Sequence, residues 1–159
     1  CRHAACNQSK RRADCAPPLI ASVRLHMRKA GLHPNQFHVN EAWIAFQLNE
    51  APIETEQDGS LNCIALMDAA SCFILGTTLI PTDELEPSAF ELKRLISTGW
   101  EQKKELPARF LVPKGQFQQI LPAEAKRRGI AVVSVKEAEL EIFIGDARQG
   151  FKEHVQRMR

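Results

Sequence analysis

The sequence contains no long hydrophobic run, and this absence argues against a membrane-spanning helix. Such a helix needs about 20 predominantly apolar residues, whereas the longest apolar stretch, residues 64–80, is interrupted by Asp68. With 44% apolar and 25% charged residues, the composition is that of an ordinary soluble domain. A chain of 159 residues has room for one main domain with an appendage, and is too short for two domains of ordinary size.

The glycine-rich loop that binds phosphate groups is also missing. Lys114-Gly115 lacks the further glycines and the Ser or Thr of a phosphate-binding loop. No nucleotide-binding loop is predicted.

The chain begins at Cys1 with no basic and then apolar leader, so we expect a fragment, a processed product or a trimmed chain.

The cysteines do not suggest a disulfide framework, because there are five of them, an odd number. Cys63 and Cys72 lie in apolar, strand-like stretches and are interpreted as small buried hydrophobic residues. This usage favours a reducing compartment, and the predicted location is the cytoplasm.

The first residues of the chain contain the ligand types of a tetrahedral zinc site, namely Cys1, His3, Cys6 and Cys15. They do not form the paired Cys-x-x-Cys knuckles that make such a site recognisable. The alternative interpretation is a set of unpaired thiols in an irregular leader. Zinc at these residues is the one cofactor that the sequence suggests.

Positive charge is concentrated at the N-terminal end of the chain. Residues 1–33 carry seven Lys and Arg against one acidic residue, a net charge of +6, which leaves −4 for the rest of a chain whose total is +2. A basic arm on an acidic body can bind a polyanion such as nucleic acid. The alternative is a solvated basic helix face. The candidate nucleic-acid-binding residues are Lys10, Arg11, Arg12, Arg24, Arg28 and Lys29.

Residues 1–60 are predicted to form this basic arm together with a helical segment and a short strand. Apolar residues at 19, 20, 23 and 27 follow helical spacing, and Gly31 and Pro34 end the helix. The segment NQFHV, residues 35–39, alternates like a strand. EAWIAFQL, residues 41–48, is interpreted as a short helix, although it would tolerate a strand conformation. The polar stretch 52–60 predicts a boundary before residue 61.

Residues 61–159 are predicted to form an α/β domain with the order β-β-α-β-α-β-α. Residues 62–68 and 72–80 flank a short turn, which predicts an antiparallel hairpin. Helices are predicted within 86–100 and 116–129, and buried strands at 108–113 and 130–135. Leu140, Ile144, Ala147, Phe151 and Val155 have the spacing of an amphipathic C-terminal helix. Right-handed crossovers would place the helices on the faces of a mixed sheet.

Two stretches of this domain resemble the cores of ribonuclease H-like integrases and transposases. IALMDAASCFILGTTLI, residues 64–80, is similar to the first hairpin of that family, in which an aspartate near the end of the first strand precedes a short turn. RFLVPKGQFQQILPAEAKRRGIAVVSV, residues 109–135, is similar to a later part, with matches at Gly115, Phe117, Gly129 and Ile130. The resemblance covers about residues 61–135 and implies a ribonuclease H-like fold.

The resemblance also implies where catalytic metal ligands would lie. Carboxylates from the first strand, a later strand and the final helix would hold two divalent ions. Asp68 matches the first position and is the only catalytic candidate, whereas Pro113 and Lys114 stand at the second and offer no ligand. The final helix offers Glu139, Glu141, Asp146 and Glu153. The alternative interpretation makes Asp68 a turn-forming, hydrogen-bonded residue.

Three functional hypotheses follow from these observations. The first is a non-catalytic ribonuclease H-like domain, derived from a mobile-element protein, that binds nucleic acid through the basic arm. The second is an α/β protein-interaction or accessory domain with no nucleic-acid role, which binds a protein partner or self-associates through a sheet edge or an apolar helix face. The third is a metal-dependent nuclease with relocated acids.

Overall fold

The structure, a computed structural model, describes residues 31–158 of the chain. From Leu32 onward these residues belong to one compact unit. The six basic residues of the predicted arm and the four candidate zinc ligands lie outside the described residues. No helix in the described part is both long enough and apolar enough to cross a membrane.

The described unit contains six strands and three helices, preceded by one turn of 3-10 helix at Pro34–Gln36. The strands are β1 (Ala42–Gln47), β2 (Ile53–Thr55), β3 (Gly59–Asp68), β4 (Ile74–Pro81), β5 (Arg109–Pro113) and β6 (Ala131–Val135). The helices are α1 (Ala89–Lys103), α2 (Ile120–Arg127) and α3 (Glu137–Arg157). From β3 onward this order confirms the predicted alternation of strands and helices.

All six strands form one mixed sheet, so the predicted fold class is confirmed. The order is β2-β3-β1-β5-β6, and β4 also pairs with β3. Strand β1 is antiparallel to β3 and parallel to β5, with Trp43 opposite both Asp68 and Phe110. Strands β5 and β6 are parallel, and the predicted hairpin is the antiparallel pair β3 and β4.

The centre of the sheet is β1, which the sequence pattern misassigned. Residues 41–48 were predicted as a short helix, and this prediction is wrong. Five of the six β1 residues are buried, because a central strand is covered on both faces and shows no alternation of polar and apolar residues. The strand predicted at residues 35–39 is also wrong, since Pro34–Gln36 forms a 3-10 turn.

The domain boundary predicted near residue 61 falls inside this sheet. Strand β1 lies between β3 and β5, and β2 pairs with the first residues of β3. Strand β3, which contains Asp68, is consequently the neighbour of the central strand. The prediction that it is the first strand of the domain is corrected.

Helices cover the two faces of the sheet with separate apolar clusters. One cluster joins Trp43 and Ala45 of β1 to the buried side chains of α1 and α2. The other joins Ala42, Ile44 and Phe46 to the buried side chains of α3. Alternate residues of β1 therefore supply both clusters. Strand β6, predicted as buried, is exposed at three of its five residues because it lies at the edge of the sheet.

Helix α1 confirms the helix predicted within residues 86–100, although it begins at Ala89 and extends to Lys103. Ser88 caps it in a reciprocal capping box with Glu91. Gly99 lies on its buried face, where an added Cβ would come within 2.8 Å of two ring atoms of Trp43. The absence of a side chain at residue 99 therefore allows the indole ring to lie against the helix.

Gly99→Ala is expected to lower the free energy of unfolding by about 1–3 kcal/mol, because the new methyl group overpacks the site of Trp43. Gly150→Ala in α3 is the matched control, since a Cβ there meets nothing within 4 Å. The control should raise stability by about 0.5–1 kcal/mol through improved helix propensity. Urea denaturation measures both changes. Equal effects of the two substitutions would contradict the packing argument.

Candidate functional site

Asp68, the sequence-predicted catalytic candidate, is a fully buried carboxylate at the end of β3. Its Oδ1 accepts a hydrogen bond of 2.7 Å from the backbone N–H of Asn40. Its Oδ2 accepts from the backbone N–H of Ser71 at 3.0 Å and from the Ser71 hydroxyl at 2.6 Å. The Lys103 ammonium of α1 lies 3.9 Å from Oδ2. Asp68 therefore connects the segment before β1, the β3–β4 turn and α1.

Asn40 completes the polar cluster around Asp68. Its backbone has a φ of 68°, a left-handed conformation that asparagine tolerates better than most residues. Its side-chain oxygen accepts a 2.6 Å hydrogen bond from Nε1 of Trp43. The indole N–H is thus satisfied inside the core, which a buried tryptophan requires. The arrangement matches the alternative prediction for Asp68, a turn-forming residue whose carboxylate oxygens accept hydrogen bonds.

The thiol beside this cluster is not poised for nucleophilic chemistry. Burial raises the pKa of Cys72, and the negative charges of Asp68 and Asp146 raise it further. Burial also raises the pKa of Cys63, against a smaller opposing effect of a hydrogen bond with Thr77. Both cysteines are free thiols, and at neutral pH they stay protonated, which is the form that does not attack an electrophile.

The carboxyl ends of the parallel strands β1, β5 and β6 meet at one edge of the sheet, called here the carboxyl edge. In open α/β sheets this edge is the usual place for a ligand site. Strand β5 ends at the buried Pro113, followed by the exposed Lys114, whose backbone N–H donates to the carbonyl of Val135 at 2.7 Å. At the end of β1, Arg148 of α3 donates from Nε and Nη2 to the carbonyl of Gln47, at 3.1 and 3.0 Å.

Arg148 is held in place by acidic residues of its own helix. Its Nη2 lies 2.9 Å from Oε1 of Glu137, and its Nη1 lies 3.9 Å from Oε2 of Glu141. The side chain is only 14% exposed. A partly buried guanidinium with this many partners stays at the end of β1 as a fixed positive charge.

The described residues do not fit the two-metal site that the sequence resemblance implies. Both oxygens of Asp68 are occupied, and Asp68 lies at the opposite end of β1 from the carboxyl edge, where β5 ends in a proline and a lysine follows. The four candidate acids of α3, Glu139, Glu141, Asp146 and Glu153, are all exposed. Within residues 31–158, no three His, Cys, Asp or Glu side chains lie close enough together to hold a metal ion.

Sequence reasoning missed a carboxylate that connects distant parts of the chain. Glu86 precedes α1, yet its side chain accepts hydrogen bonds from the backbone N–H groups of Gln119, Ile120 and Leu121, at 2.7–3.1 Å. It therefore caps the first turn of α2 across more than thirty residues. The only sequence signal is indirect: Gln119, at the N-cap position, supplies no side-chain cap of its own. Nothing in the sequence around Arg148 indicated its contact with the carbonyl of Gln47.

The comparison with known proteins gives structural matches alone. No protein-family model matches the chain, and no curated protein matches it. The chain is similar to a chain of the simian T-cell lymphotropic virus intasome, solved in complex with PP2A regulatory subunit B56 gamma. The sequence identity is 10% and the TM-score is 0.48, over 70% of this chain and 37% of that one.

Two integrase catalytic core domains are also similar to the chain. That of BIV integrase matches at 14% identity with a TM-score of 0.38, over 74% of this chain and 65% of that one. That of HTLV-2 integrase, solved in complex with magnesium in a dimeric form, matches at 12% identity with a TM-score of 0.44, over 74% and 85%. The chain thus spans 37% and 65% of the first two matched chains.

The predicted resemblance to integrase cores is thereby confirmed as a loose one. Every TM-score is below 0.5, so the matches carry no argument about activity, ligands or partners. The zinc ligands and arm residues predicted between Cys1 and Lys29 lie outside the described residues and stay predictions.

Close to the Asp68 cluster, Glu41 and Arg109 form a pair whose effect depends on pH. Glu41 Oε2 accepts from the backbone N–H of His38 at 2.9 Å, and Oε1 lies 2.6 Å from Nη2 of Arg109. The hydrogen bond from His38 and the positive charge of Arg109 hold the pKa of Glu41 below its ordinary value of 4.5, although burial acts in the opposite direction. The folded state therefore favours the charged form.

Glu41→Gln is expected to lower the free energy of unfolding by about 0.5–1 kcal/mol at pH 7. A carboxyl group with a depressed pKa stabilises the fold above its unfolded pKa, and this contribution is lost as the pH falls through the folded pKa. The difference between wild type and variant should therefore be constant above about pH 5.5 and shrink below pH 4.5. Urea denaturation across this range tests it; a constant difference at every pH would contradict it.

Asp68→Asn is expected to lower the free energy of unfolding by about 1–3 kcal/mol, because one carboxylate oxygen becomes an NH₂ group facing an N–H donor. Asp83→Asn is the matched control, since Asp83 is exposed, and it should change stability by less than about 0.5 kcal/mol. Thermal and urea denaturation measure the change. Nucleic-acid cleavage that requires Mg²⁺ or Mn²⁺ and disappears in a folded Asp68→Asn protein would contradict this structural role.

Proposed function

We propose that the chain is a non-catalytic domain of ribonuclease H-like fold that binds nucleic acid through its basic N-terminal arm. The observation that carries the proposal is the chemistry of the carboxyl edge, where a guanidinium and a lysine stand at the ends of β1 and β5. Origin from a mobile-element protein and a cytoplasmic location belong to the same proposal.

A fixed guanidinium at the carboxyl edge supports a domain that works without divalent ions. Arg148 is held on the last carbonyl of β1 by two hydrogen bonds. The guanidinium engages the carboxylates of Glu137 and Glu141, so a divalent ion placed beside it would have to compete with Arg148 for its ligands. Asp68 lies beside Trp43, at the opposite end of β1, and it would have to give up three hydrogen bonds to bind an ion there. Both costs oppose metal-dependent cleavage.

The distribution of charge supports the arm as the nucleic-acid contact. The described residues carry 13 Lys and Arg against 18 Asp and Glu, a net charge of −5. A polyanion is repelled by such a body and attracted by the arm, whose first 33 residues carry +6. Binding of this kind depends on phosphate contacts, tolerates different sequences and weakens as salt displaces the protein.

Arg11→Ala combined with Arg12→Ala is expected to weaken binding of the full chain to a labelled DNA or RNA oligonucleotide by about tenfold at 50 mM salt. The slope of log K against log salt should become shallower by about 1.4–1.8, because each lost phosphate contact contributes about 0.7–0.9. Fluorescence anisotropy over a range of salt concentrations measures both quantities.

The matched control removes the same charge from the body. Lys93 and Arg94 are neighbouring exposed residues of α1, and replacing both with Ala should leave the slope unchanged. Absence of binding by the full chain at low salt would overturn the proposal. Equal weakening of nucleic-acid binding by the two double variants would contradict the assignment of the contact to the arm.

A second candidate function is a protein-interaction domain, and one observation favours it. Strand β6 lies at an edge of the sheet and is exposed at Ala131, Val133 and Ser134. Exposed edge strands are places where another chain can add to a sheet.

A further inference from the structure

Strands β4 and β6 both lie at an edge of the described sheet and differ in how well they are protected against pairing. Strand β4 has an irregular register at Leu66/Met67 of its neighbour, contains Gly76 and ends in Pro81. Bulges, glycine and proline all discourage a further strand. Strand β6 has the sequence Ala-Val-Val-Ser-Val and contains no charged residue, no proline and no glycine. Its pairing with β5 runs without a shift in register.

The hydrogen bonds of β6 determine which backbone groups remain open on its outer side. The backbone N–H of Ala131 donates to the carbonyl of Ala108, and the carbonyl of Val135 accepts from the backbone N–H of Lys114. The backbone groups of both residues therefore point toward β5. Because backbone direction alternates along a strand, Val133 points toward β5 as well, whereas Val132 and Ser134 point outward. Among residues 31–158, nothing pairs with these outward groups, so the outer side of β6 offers two N–H groups and two carbonyls.

These open groups have the spacing that a second copy of the same strand requires. In an antiparallel pair, opposite residues exchange both of their hydrogen bonds at every second position. When Val133 lies opposite its own counterpart on a two-fold axis, Val132 of each copy faces Ser134 of the other. All four open groups are then satisfied by four hydrogen bonds. Such an arrangement is isologous, as a two-fold interface must be.

Charges at the two ends of β6 are complementary in this arrangement. Residues 124–130 before the strand carry a net charge of +2, from Glu124, Lys126, Arg127 and Arg128, and residues 136–141 after it carry a net charge of −2, from Lys136, Glu137, Glu139 and Glu141. Antiparallel pairing brings the basic end of one copy beside the acidic end of the other, at both ends of the paired strands. A parallel arrangement would place like charges side by side. At the axis, Val133, which is 39% exposed, would meet the same side chain of the other copy.

From the open backbone groups and the end charges we infer that the chain forms a two-fold symmetric dimer through antiparallel β6–β6 pairing centred on Val133. The two sheets become one continuous sheet. This inference goes beyond nucleic-acid binding and does not depend on it, since no residue of the basic arm takes part.

The first test is the mass of the full chain in solution, measured by sedimentation equilibrium up to about 1 mM. The weight-average mass should rise with concentration from 17.9 kDa toward twice that value. Val133→Lys places like charges opposite each other on the axis and should weaken dimerisation at least about tenfold. Val133→Thr is the uncharged, β-branched control and should stay within about threefold of wild type.

A backbone substitution tests the hydrogen bonds separately. Ser134→Pro removes an outward N–H and leaves the β5 ladder intact, so the domain should fold, as circular dichroism can verify, and stay monomeric. Ser134→Ala keeps the N–H and should dimerise like wild type. A wild-type chain that is monomeric at every concentration would overturn the inference, and so would a dimer that persists in both Val133→Lys and Ser134→Pro.

Cysteine cross-linking tests the register. In a protein whose Cys1, Cys6 and Cys15 are replaced by Ser, Val133→Cys places two thiols on Cα atoms about 4.5 Å apart, within reach of a disulfide. Ala131→Cys is the control, because its two copies lie about 14 Å apart in the same dimer. Mild oxidation should give a covalent dimer of the first variant alone. Equal cross-linking of both would contradict pairing centred on Val133.

Discussion

Strand β1 has no exposed face, and the remaining elements are arranged around this constraint. On one face Trp43 packs beneath α1, where Gly99 leaves room for the indole ring. On the other face Ile44 and Phe46 join the cluster that α3 covers. A strand covered on both sides cannot change register without exposing one cluster or overpacking the other. Its neighbours β3 and β5 are therefore fixed in register by the packing of a six-residue segment.

Burying β1 creates a need for polar partners at its N-terminal end, and the Asp68 cluster supplies them. The indole N–H of Trp43 and the backbone N–H of Asn40 lie in the interior, where an unpaired donor costs about 1–3 kcal/mol. Asn40 accepts from the indole, and Asp68 accepts from Asn40. An aspartate at the end of β3 is thus explained by the donors around it. The same residue type that suggests a metal ligand in the sequence serves here to complete the core.

The predictable parts of the fold are those with local signals. Helices α1 and α3 were both predicted from their apolar periods. Strand β1 was missed because a strand buried on both faces shows no period of two, and a short apolar segment then fits a helix equally well. The position of Asp68 was misjudged for a different reason. Which strand lies at the centre is decided by pairing between distant segments, and no local pattern of residues 62–80 contains that information.

Contacts between distant segments explain why the candidate site was less predictable than the fold. Arg148 binds the carbonyl of a residue 101 positions earlier, and Glu86 caps a helix that starts more than thirty positions later. Both are charged residues, and a charged side chain is usually expected to be exposed to solvent. Only the three-dimensional arrangement shows that a cation stands at the end of β1.

The two proposals become connected when charge and assembly are considered together. A single chain binds a polyanion with an arm of net charge +6 while a body of net charge −5 opposes it, so its affinity should be modest. A dimer joined at β6 carries two arms. Once one arm binds a long nucleic acid, the second binds at a raised effective concentration, and this can increase affinity without any new contact. The gain requires a polymer long enough to reach both arms. The dependence of affinity on nucleic-acid length would thus come from the β6 interface, whereas its dependence on salt concentration comes from the arm. The two contributions can be separated experimentally.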